Sequence, residues 1–307
     1  SSTSRGLGDV YKRQTLQAQN LTVSSGTSFT VDKTGSVTIT GNFSNSGTFT
    51  LNSDADEFSS IIVSGSSTGN IDYNRYVNAV GTDEWDLIGS PLDAVSISTF
   101  VTANTAGTAT LATNGSAYAV GEYDNATDTW TNYTTSTVGA AGNFDIGKGY
   151  QMASVDGGTG ILKFTGTVAS TTQTQAIINN DAANSNAGRR WNLIANPFPS
   201  YVQGNSNADG SNNFLTVNAD KLDDSFEAVY GYDADGTGYT IYNNSSGALR
   251  LAPGQAFMVA SDDTSSDNLS FTTAMRTAVG GDDLIVGDVL EDSFELILKL
   301  YEGDTEI

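Results

Sequence analysis

Short alternating pairs of apolar residues mark the first part of the chain. Leu21, Phe29 and Val37 each open an apolar-x-apolar pair, and these pairs recur every eight residues. That spacing is too short for repeated helices and is typical of a strand, a turn and the next strand. The pattern predicts rungs of a β-solenoid or a meander of hairpins over residues 15–69. It favours the solenoid, because small polar residues fill the turns and no Asn-Gly hairpin dipeptide occurs there.

A duplicated motif follows this segment. Trp85-Asp-Leu-Ile-Gly-Ser-Pro91 returns as Trp191-Asn-Leu-Ile-Ala-Asn-Pro197. Other blocks return in the same order: Phe100-Val-Thr-Ala-Asn104 as Phe214-Leu-Thr-Val-Asn218, Tyr123-Asp124 as Tyr232-Asp233, and Gly147-Lys-Gly-Tyr150 as Gly254-Gln-Ala-Phe257. We interpret residues 70–169 (unit 1) and 170–277 (unit 2) as two copies of one folding unit with strand-like blocks.

The predicted fold class is therefore all-β. Many β-branched residues and 33 glycines favour short strands joined by tight turns. Units of this length with several strands are typical of antiparallel sandwiches. We predict a short β-solenoid, or meander, followed by two tandem antiparallel β-sandwich modules.

Both ends of the sequence lead to separate expectations. Residues 1–14 resemble translated sequencing-adapter sequence, so we interpret them as a non-native segment joined to a metagenomic fragment. Residues 278–307 contain the strand-like alternation Phe294, Leu296, Leu298 and Leu300. This alternation predicts a linker and the start of a truncated β-domain.

Charge and composition narrow the function. The chain has 35 acidic and 13 basic residues, a net charge of −22, no His and no Cys. Nucleic acid is disfavoured as a partner because its phosphates would be repelled, and no apolar run is long enough for membrane insertion. Catalysis by Ser-His-Asp or Cys, and metal sites built on His or Cys, are excluded. We predict a protein that is not an enzyme, with a carboxylate-based glycosidase as the residual alternative.

The repeated tryptophans are predicted to be structural. Trp85 and Trp191 open strand-like blocks, and Pro91 and Pro197 end them by removing an amide donor. We interpret both indole rings as core anchors. A surface platform that stacks on sugars is the alternative.

Four further aromatic residues are candidate ligand contacts. Trp130 and Tyr133 in unit 1, and Tyr239 and Tyr242 in unit 2, lie among polar residues. Such rings pack across a hairpin, or they remain exposed and stack on polysaccharides or other cell-surface glycans. Both hypotheses stay open from the sequence.

Calcium is the one cofactor that the sequence leaves open. Loop positions spaced like the start of an EF-type site carry oxygen ligands, but Thr216 stands where that loop needs a bidentate Glu. A solvated Asx turn accounts for the same residues. The weak candidate ligands are Asn205, Asn207, Asp209, Asp233 and Asp235.

Three blocks resemble large secreted surface proteins of Bacteroidota, which carry a type IX secretion sorting domain. They are Arg190-Trp-Asn-Leu-Ile-Ala-Asn-Pro-Phe-Pro199, Gly147-Lys-Gly-Tyr150 and Pro253-Gly-Gln-Ala-Phe257. The resemblance implies an extracellular or outer cell-surface location. Together with the repetition, the acidity and the missing His and Cys, it favours a noncatalytic, adhesin-like structural or binding protein. The alternative is a pair of carbohydrate-binding accessory modules in a larger secreted enzyme, with calcium as an optional cofactor.

Overall fold

Strands dominate the computed structural model, which describes residues 15–81, 85–106, 110–181, 187–233, 238–284, 301–302 and 305–306. Helices are few and short. The predicted all-β class is confirmed. The segment 1–14 and the alternation over 294–300 lie outside the described residues.

Nine short strands form the solenoid. Their bounds are β1 (Thr15–Ala18), β2 (Leu21–Val23), β3 (Ser28–Val31), β4 (Ser36–Ile39), β5 (Phe43–Asn45), β6 (Thr48–Asn52), β7 (Ser60–Val63), β8 (Ser67–Thr68) and β9 (Ile71–Tyr76). Consecutive strands enter three different parallel sheets, ordered β1-β4-β7, β2-β5-β8 and β3-β6-β9. One rung therefore takes three strands. The eight-residue period is the length of one face, and the solenoid prediction is confirmed over the meander.

Stacked side chains hold the rungs together. Phe29 stacks on Phe49 with ring centroids 5.1 Å apart and an interplanar angle of 7°. At one corner, the side-chain oxygen of Asn20 accepts a hydrogen bond from the Asn42 amide (2.8 Å), and the Asn42 oxygen accepts one from the Ser66 amide (3.0 Å). These asparagines satisfy backbone donors that the turn leaves unpaired, which explains the polar corners between apolar pairs.

Unit 1 is built around a five-stranded antiparallel sheet. Its elements are β10 (Asp86–Ile88), α1 (Ile97–Thr105), β11 (Thr113–Asn114), β12 (Ala117–Asp124), β13 (Thr129–Thr134), β14 (Tyr150–Met152) and β15 (Ile161–Gly166). The sheet order is β10-β14-β12, and both β11 and β13 pair with β12. The remaining strand, β15, pairs antiparallel with β9. Solenoid and unit 1 thus share β9, which directly follows the predicted boundary at residue 69.

Unit 2 contains a sheet with a similar strand order. Its elements are β16 (Gln173–Ile177), β17 (Trp191–Ala195), β18 (Tyr201–Gln203), α2 (Phe214–Asn218), β19 (Val229–Asp233), β20 (Gly238–Tyr242), β21 (Arg250–Leu251), β22 (Ala256–Ala260), β23 (Asp267–Phe271) and β24 (Arg276–Thr277). The order β17-β22-β19-β20 matches β10-β14-β12-β13, and the pair β16-β23 matches β9-β15. A further sheet, β21-β18-β24, occurs in unit 2.

The remaining elements are short. Four 3-10 turns span Val138–Ala140, Ala187–Arg190, Ala219–Lys221 and Thr273–Met275. Two strands, β25 (Tyr301–Glu302) and β26 (Thr305–Glu306), pair with each other. They do not contribute to the site described below.

The repeated Phe-to-Asn blocks are helical, so their interpretation as strand-like is wrong. The Ser96 hydroxyl caps α1 by accepting a hydrogen bond from the Thr99 amide. Asn104 then fastens α1 to β15: its amide nitrogen donates to the Lys163 carbonyl (3.0 Å) and its oxygen accepts from the Lys163 amide (2.8 Å). Phe100 packs on Phe164 in the core at 4.6 Å. Tertiary contacts therefore override the strand preference of the β-branched residues.

Unit 2 uses the same two residues in the same way. The Asn218 amide nitrogen donates to the Ser270 carbonyl (3.0 Å), and the Asn218 oxygen accepts from the Ser270 amide (2.7 Å). Phe214 lies 5.1 Å from Phe271. The repeated Phe and Asn thus position the helix on the strand pair in both units.

The last rung of the solenoid also packs against unit 2. The Ile61 amide donates to the Pro199 carbonyl (2.7 Å), and Arg276 donates to the Val63 carbonyl (3.0 Å). Arg75, fully buried on β9, donates to the Pro253 carbonyl and pairs with Asp283. Contacts between residues far apart in sequence fix unit 2 against both the solenoid and unit 1.

Candidate binding cleft between the two units

The two units meet along a reciprocal contact, which we call the seam (residues 87–89 and 147–149 of unit 1, residues 193–195 and 254–256 of unit 2). The Gly89 amide donates to the Gly254 carbonyl, and the equivalent Ala195 amide donates to the Gly147 carbonyl, both at 2.8 Å. An apolar cluster closes the seam, formed by Leu87, Leu193, Ala195, Ala256 and Met258. Matching contacts in both directions are the signature of a two-fold arrangement.

Close approach at the seam depends on paired small residues. A Cβ at Gly149 would lie 2.6 Å from Cγ of Leu193 and 2.7 Å from Cβ of Ala256, the residue equivalent to Gly149 in unit 2. A Cβ at Gly89 would likewise collide with Cβ of its own equivalent, Ala195. Each contact between equivalent positions thus has one Gly and one Ala, because two methyl groups would not fit.

The β12–β13 turn of unit 1 docks on unit 2. Asn125 donates from its side-chain nitrogen to the Ile178 carbonyl (2.8 Å) and to the side-chain oxygen of Asn192 (3.2 Å). Asn180 donates to the Asn125 oxygen (2.8 Å). These bonds place the aromatic face of the β12–β13 hairpin opposite β19 and β20.

An aromatic cleft of about 420 Å³ opens where the two hairpins face each other. Its lining comes from both units: Tyr123, Asp128 and Trp130 from unit 1, and Gly188, Trp191, Tyr230, Tyr239, Ile241 and Met258 from unit 2. Three of these side chains are largely accessible, with exposed fractions of 39% for Trp130, 46% for Tyr239 and 54% for Ile241. Large apolar side chains held open to solvent in a concave site are a feature of ligand pockets.

Cross-strand packing fixes the rings. Tyr123 and Trp130 are register partners on β12 and β13, with centroids 5.0 Å apart. Trp191 meets Tyr230 edge to face at 4.5 Å. Rings held by neighbours in this way lose little conformational entropy on binding a ligand.

The polar groups of the cleft are few and ordered. The Tyr123 hydroxyl donates to Asp128 Oδ1 (2.8 Å) and lies 3.2 Å from the Gly188 carbonyl. Burial, reinforced by the hydrogen bond to Asp128, raises the pKa of Tyr123, and burial also raises the pKa of Tyr239. Both phenols therefore stay neutral around pH 7. Asp128 supplies the carboxylate, and no Lys or Arg belongs to the described lining.

Two of the predicted ligand contacts line the cleft. Trp130 and Tyr239 occupy equivalent positions, and both line the same cleft, one from each unit. Tyr133 does not join them, since its hydroxyl bonds to Glu122 in a separate polar cleft. Tyr242 packs, half-buried, against the core of unit 2. The structure thus brings together one member of each predicted pair.

Three aromatic residues of the cleft were missed as ligand contacts. Trp191 lies half-buried in the cleft wall, where it packs against the apolar cluster of the seam. Tyr123 was available as the cross-strand partner of Trp130, but Tyr230 carried no signal, because Gly121 holds its equivalent place in unit 1. Trp85 is half-buried and packs against the hydrophobic core shared by the solenoid and unit 1. Pro91 and Pro197 are buried.

The calcium candidates are engaged in other bonds. Asn205 is fully buried; its oxygen accepts from the Leu249 amide (3.0 Å) and its nitrogen donates to the Gly247 carbonyl (2.8 Å). Asn207 donates to the Ser246 carbonyl (2.6 Å). Asp209 closes an Asx turn by accepting from the Ser211 amide (2.9 Å). These residues build a loop, and both ends of the Asn205 side-chain amide take part in its hydrogen bonds.

The other candidate ligands add no cation site to the part of the chain that is described. Asp235 and the side chain of Asp233 lie outside it. Within it, no group of three or more acidic side chains is placed to share a cation.

Two carboxyl groups have the raised pKa that a general acid requires. Burial raises the pKa of Asp86 to about 7, and burial with the nearby Asp283 charge raises that of Asp282 to about 6. Asp86 is only 1% exposed and accepts a hydrogen bond from the Asn78 amide (2.6 Å). A substrate could not reach Asp86, and neither group lines the aromatic cleft.

Fold and cleft together define an all-β protein in which a solenoid precedes two sandwich units that meet at an aromatic pocket. A family model described as a domain of unknown function, DUF8693, matches residues 8–284, and the chain belongs to this family. The match covers the solenoid and both units. No curated protein and no solved structure matches the chain. Within the described residues, neither helix has the length and apolar character needed to cross a bilayer.

Proposed function

We propose that the chain is a noncatalytic, adhesin-like binding protein that recognises carbohydrate in the aromatic cleft. The observation that carries the proposal is the pairing of Trp130 and Tyr239, two exposed rings from equivalent positions of the two units. The apolar faces of sugar rings stack on aromatic side chains, while a few fixed polar groups set the orientation of the sugar.

The dimensions and chemistry of the cleft support a small saccharide segment as the ligand. A volume of about 420 Å³ lies within the usual range for small-molecule sites. The Tyr123 hydroxyl donates its proton to Asp128, so its oxygen and the Asp128 carboxylate supply acceptors beside the rings. Recognition of a sugar by stacking and hydrogen bonding requires neither a nucleophile nor a proton donor to the substrate.

The setting that we propose is the outside of a cell. The motif around Trp191 and the blocks at 147–150 and 253–257 support a secreted protein of the Bacteroidota type IX kind, and the charge of −22 suits an exposed acidic surface. The matching sheet orders of the two units support a tandem repeat. The alternative remains a pair of carbohydrate-binding modules that serve an enzyme on the same longer protein.

A glycan array followed by titration calorimetry tests the proposal. The tightest array ligand is titrated into the complete chain, into Trp130→Ala and Tyr239→Ala, and into Tyr133→Ala as a matched control from the same hairpin as Trp130. Loss of stacking is expected to weaken binding by at least about tenfold in the first two variants, and binding to the control is expected to stay unchanged. Binding that survives both cleft substitutions, or an array without any ligand, would contradict the proposal.

A further inference from the structure

The described lining of the aromatic cleft contains a single charged residue. This residue is Asp128, and it stands at the rim beside five aromatic rings. The nearby Arg190 does not balance it, since its guanidinium pairs with Asp223 at 2.9 Å and lies over the Phe226 ring at 5.3 Å. The cleft therefore presents a negative charge and electron-rich ring faces to a ligand.

The Asp128 carboxylate is held in place. It accepts the Tyr123 hydroxyl proton at 2.8 Å, and the absence of a side chain at Gly188 leaves room for it, because a Cβ there would lie 2.7 Å from Cγ of Asp128. Asp128 also adopts a left-handed backbone with φ of 56°. A carboxylate fixed beside aromatic faces is suited to a cation, which gains both an ion pair and cation–π attraction.

From this charge complementarity we infer that the carbohydrate carries free, protonated amino groups. The ligand class is thus an amino-sugar glycan, distinct from neutral glycans and from acidic ones. This inference rests on the proposed function, because it specifies the sugar bound in the same cleft. The net charge of −22 acts in the same direction by attracting a cationic polymer and repelling uronates or sulfated sugars.

Three tetrasaccharides with the same β-1,4 linkage separate the inference from the proposed function. They are the tetramers of glucosamine, of N-acetylglucosamine and of glucose, and each is titrated at low and at high salt. The glucosamine tetramer is expected to bind about tenfold more tightly than the other two, with the advantage shrinking as salt screens the charges.

Two variants of one turn assign this preference to Asp128. Asp128→Asn is expected to reduce the affinity for the glucosamine tetramer about tenfold. Asp124→Asn removes the same charge from the same turn but lies outside the aromatic cleft, so the preference is expected to persist. The fold of each variant is checked by its melting temperature.

The possible outcomes are distinguishable. Equal binding of the three tetramers, or a preference that Asp128→Asn leaves intact, overturns the amino-sugar inference while the proposed function stands. Binding of a lysine-rich peptide in place of glucosamine overturns it too. If neither these tetramers nor any array glycan binds, the proposed function fails and the inference fails with it.

Discussion

Units 1 and 2 use the same residues to build their folds, but several residues that line the cleft differ between them. Phe100 and Asn104 hold α1 as Phe214 and Asn218 hold α2, with the same hydrogen bonds to the neighbouring strand. In the cleft, the cross-strand pair Tyr230 and Ile241 of unit 2 stands where unit 1 has Gly121 and Asn132. The scaffold therefore rests on shared residues. The cleft combines the shared residues Tyr123 and Trp191 with residues that differ between the units.

The seam shows the same contrast on a smaller scale. Gly149 opposes Ala256 and Gly89 opposes Ala195, although each pair occupies one position of the shared motif. Identical units could not supply both a Gly and an Ala at one place. The differences between the units thus allow a close contact that also creates the cleft.

The largest effect is expected where the Trp motif differs, at Asp86 in unit 1 and Asn192 in unit 2. Burial raises the pKa of Asp86 from 3.8 to about 7, so the folded state binds the extra proton between those values. Stability should fall as pH rises through this window, by up to about 4 kcal/mol. Asp86→Asn should remove the loss of stability that comes from Asp86. The melting temperature at several pH values measures this change.

The reverse substitution provides the control for this pH effect. Asn192 donates to the Ile178 and Arg190 carbonyls at 3.0 Å, so Asn192→Asp loses both bonds and is expected to be least stable at high pH. An Asp86→Asn variant whose pH profile matches that of the original chain would show that Asp86 is not the titrating group.

The second effect concerns the asparagine that bonds each helix to its neighbouring strand. Asn104→Ala and Asn218→Ala should each cost about 3 kcal/mol, because each leaves buried backbone groups without partners. Chemical denaturation measures the cost, and the exposed Asn114→Ala serves as the control, with a change under about 0.5 kcal/mol. A large cost in one unit and none in the other would break the equivalence of the two scaffolds.

The third effect concerns the seam. Gly149→Ala should destabilise the chain by about 2 kcal/mol through overpacking against Leu193 and Ala256. The exchange Gly149→Ala with Ala256→Gly should recover part of this loss, because it removes one of the two clashes. Denaturation of the single and double variants gives the coupling energy. Simple additivity of the two substitutions would argue against direct contact between these positions.

The smallest effect is expected from chelation. Hydrogen bonds from the side chains of Asn205, Asn207 and Asp209 close the 203–213 loop. EDTA should therefore leave the melting temperature unchanged, and added calcium should not raise it. A rise in melting temperature on addition of calcium would contradict this prediction and support these residues as metal ligands.

Period and repetition carried most of the fold prediction. The spacing of Leu21, Phe29 and Val37 indicated the faces of a solenoid, since side chains that point inward must repeat at each face. The two helices were missed because both are short and contain β-branched residues. The hydrogen bonds that hold them come from strands 59 and 52 residues away. Sharing of β9 between solenoid and unit 1 was also hidden, because one strand can pair on both edges.

Only part of the candidate site could be predicted from the sequence. Trp130 and Tyr239 could be singled out as aromatic residues in polar strands, but the same reasoning named Tyr133 and Tyr242. Which rings face each other depends on how the two units pack at the seam, a long-range arrangement that no local pattern encodes. Trp191 was assigned to the core for the same reason.

A crystal structure of the chain with its tightest glycan tests where the sugar binds. We expect a sugar ring in the aromatic cleft, in contact with Trp130 and Tyr239, and a polar group of the sugar bonded to Asp128. A sugar bound in the polar cleft beside Tyr133, or elsewhere on the surface while the aromatic cleft holds no ligand, would contradict it.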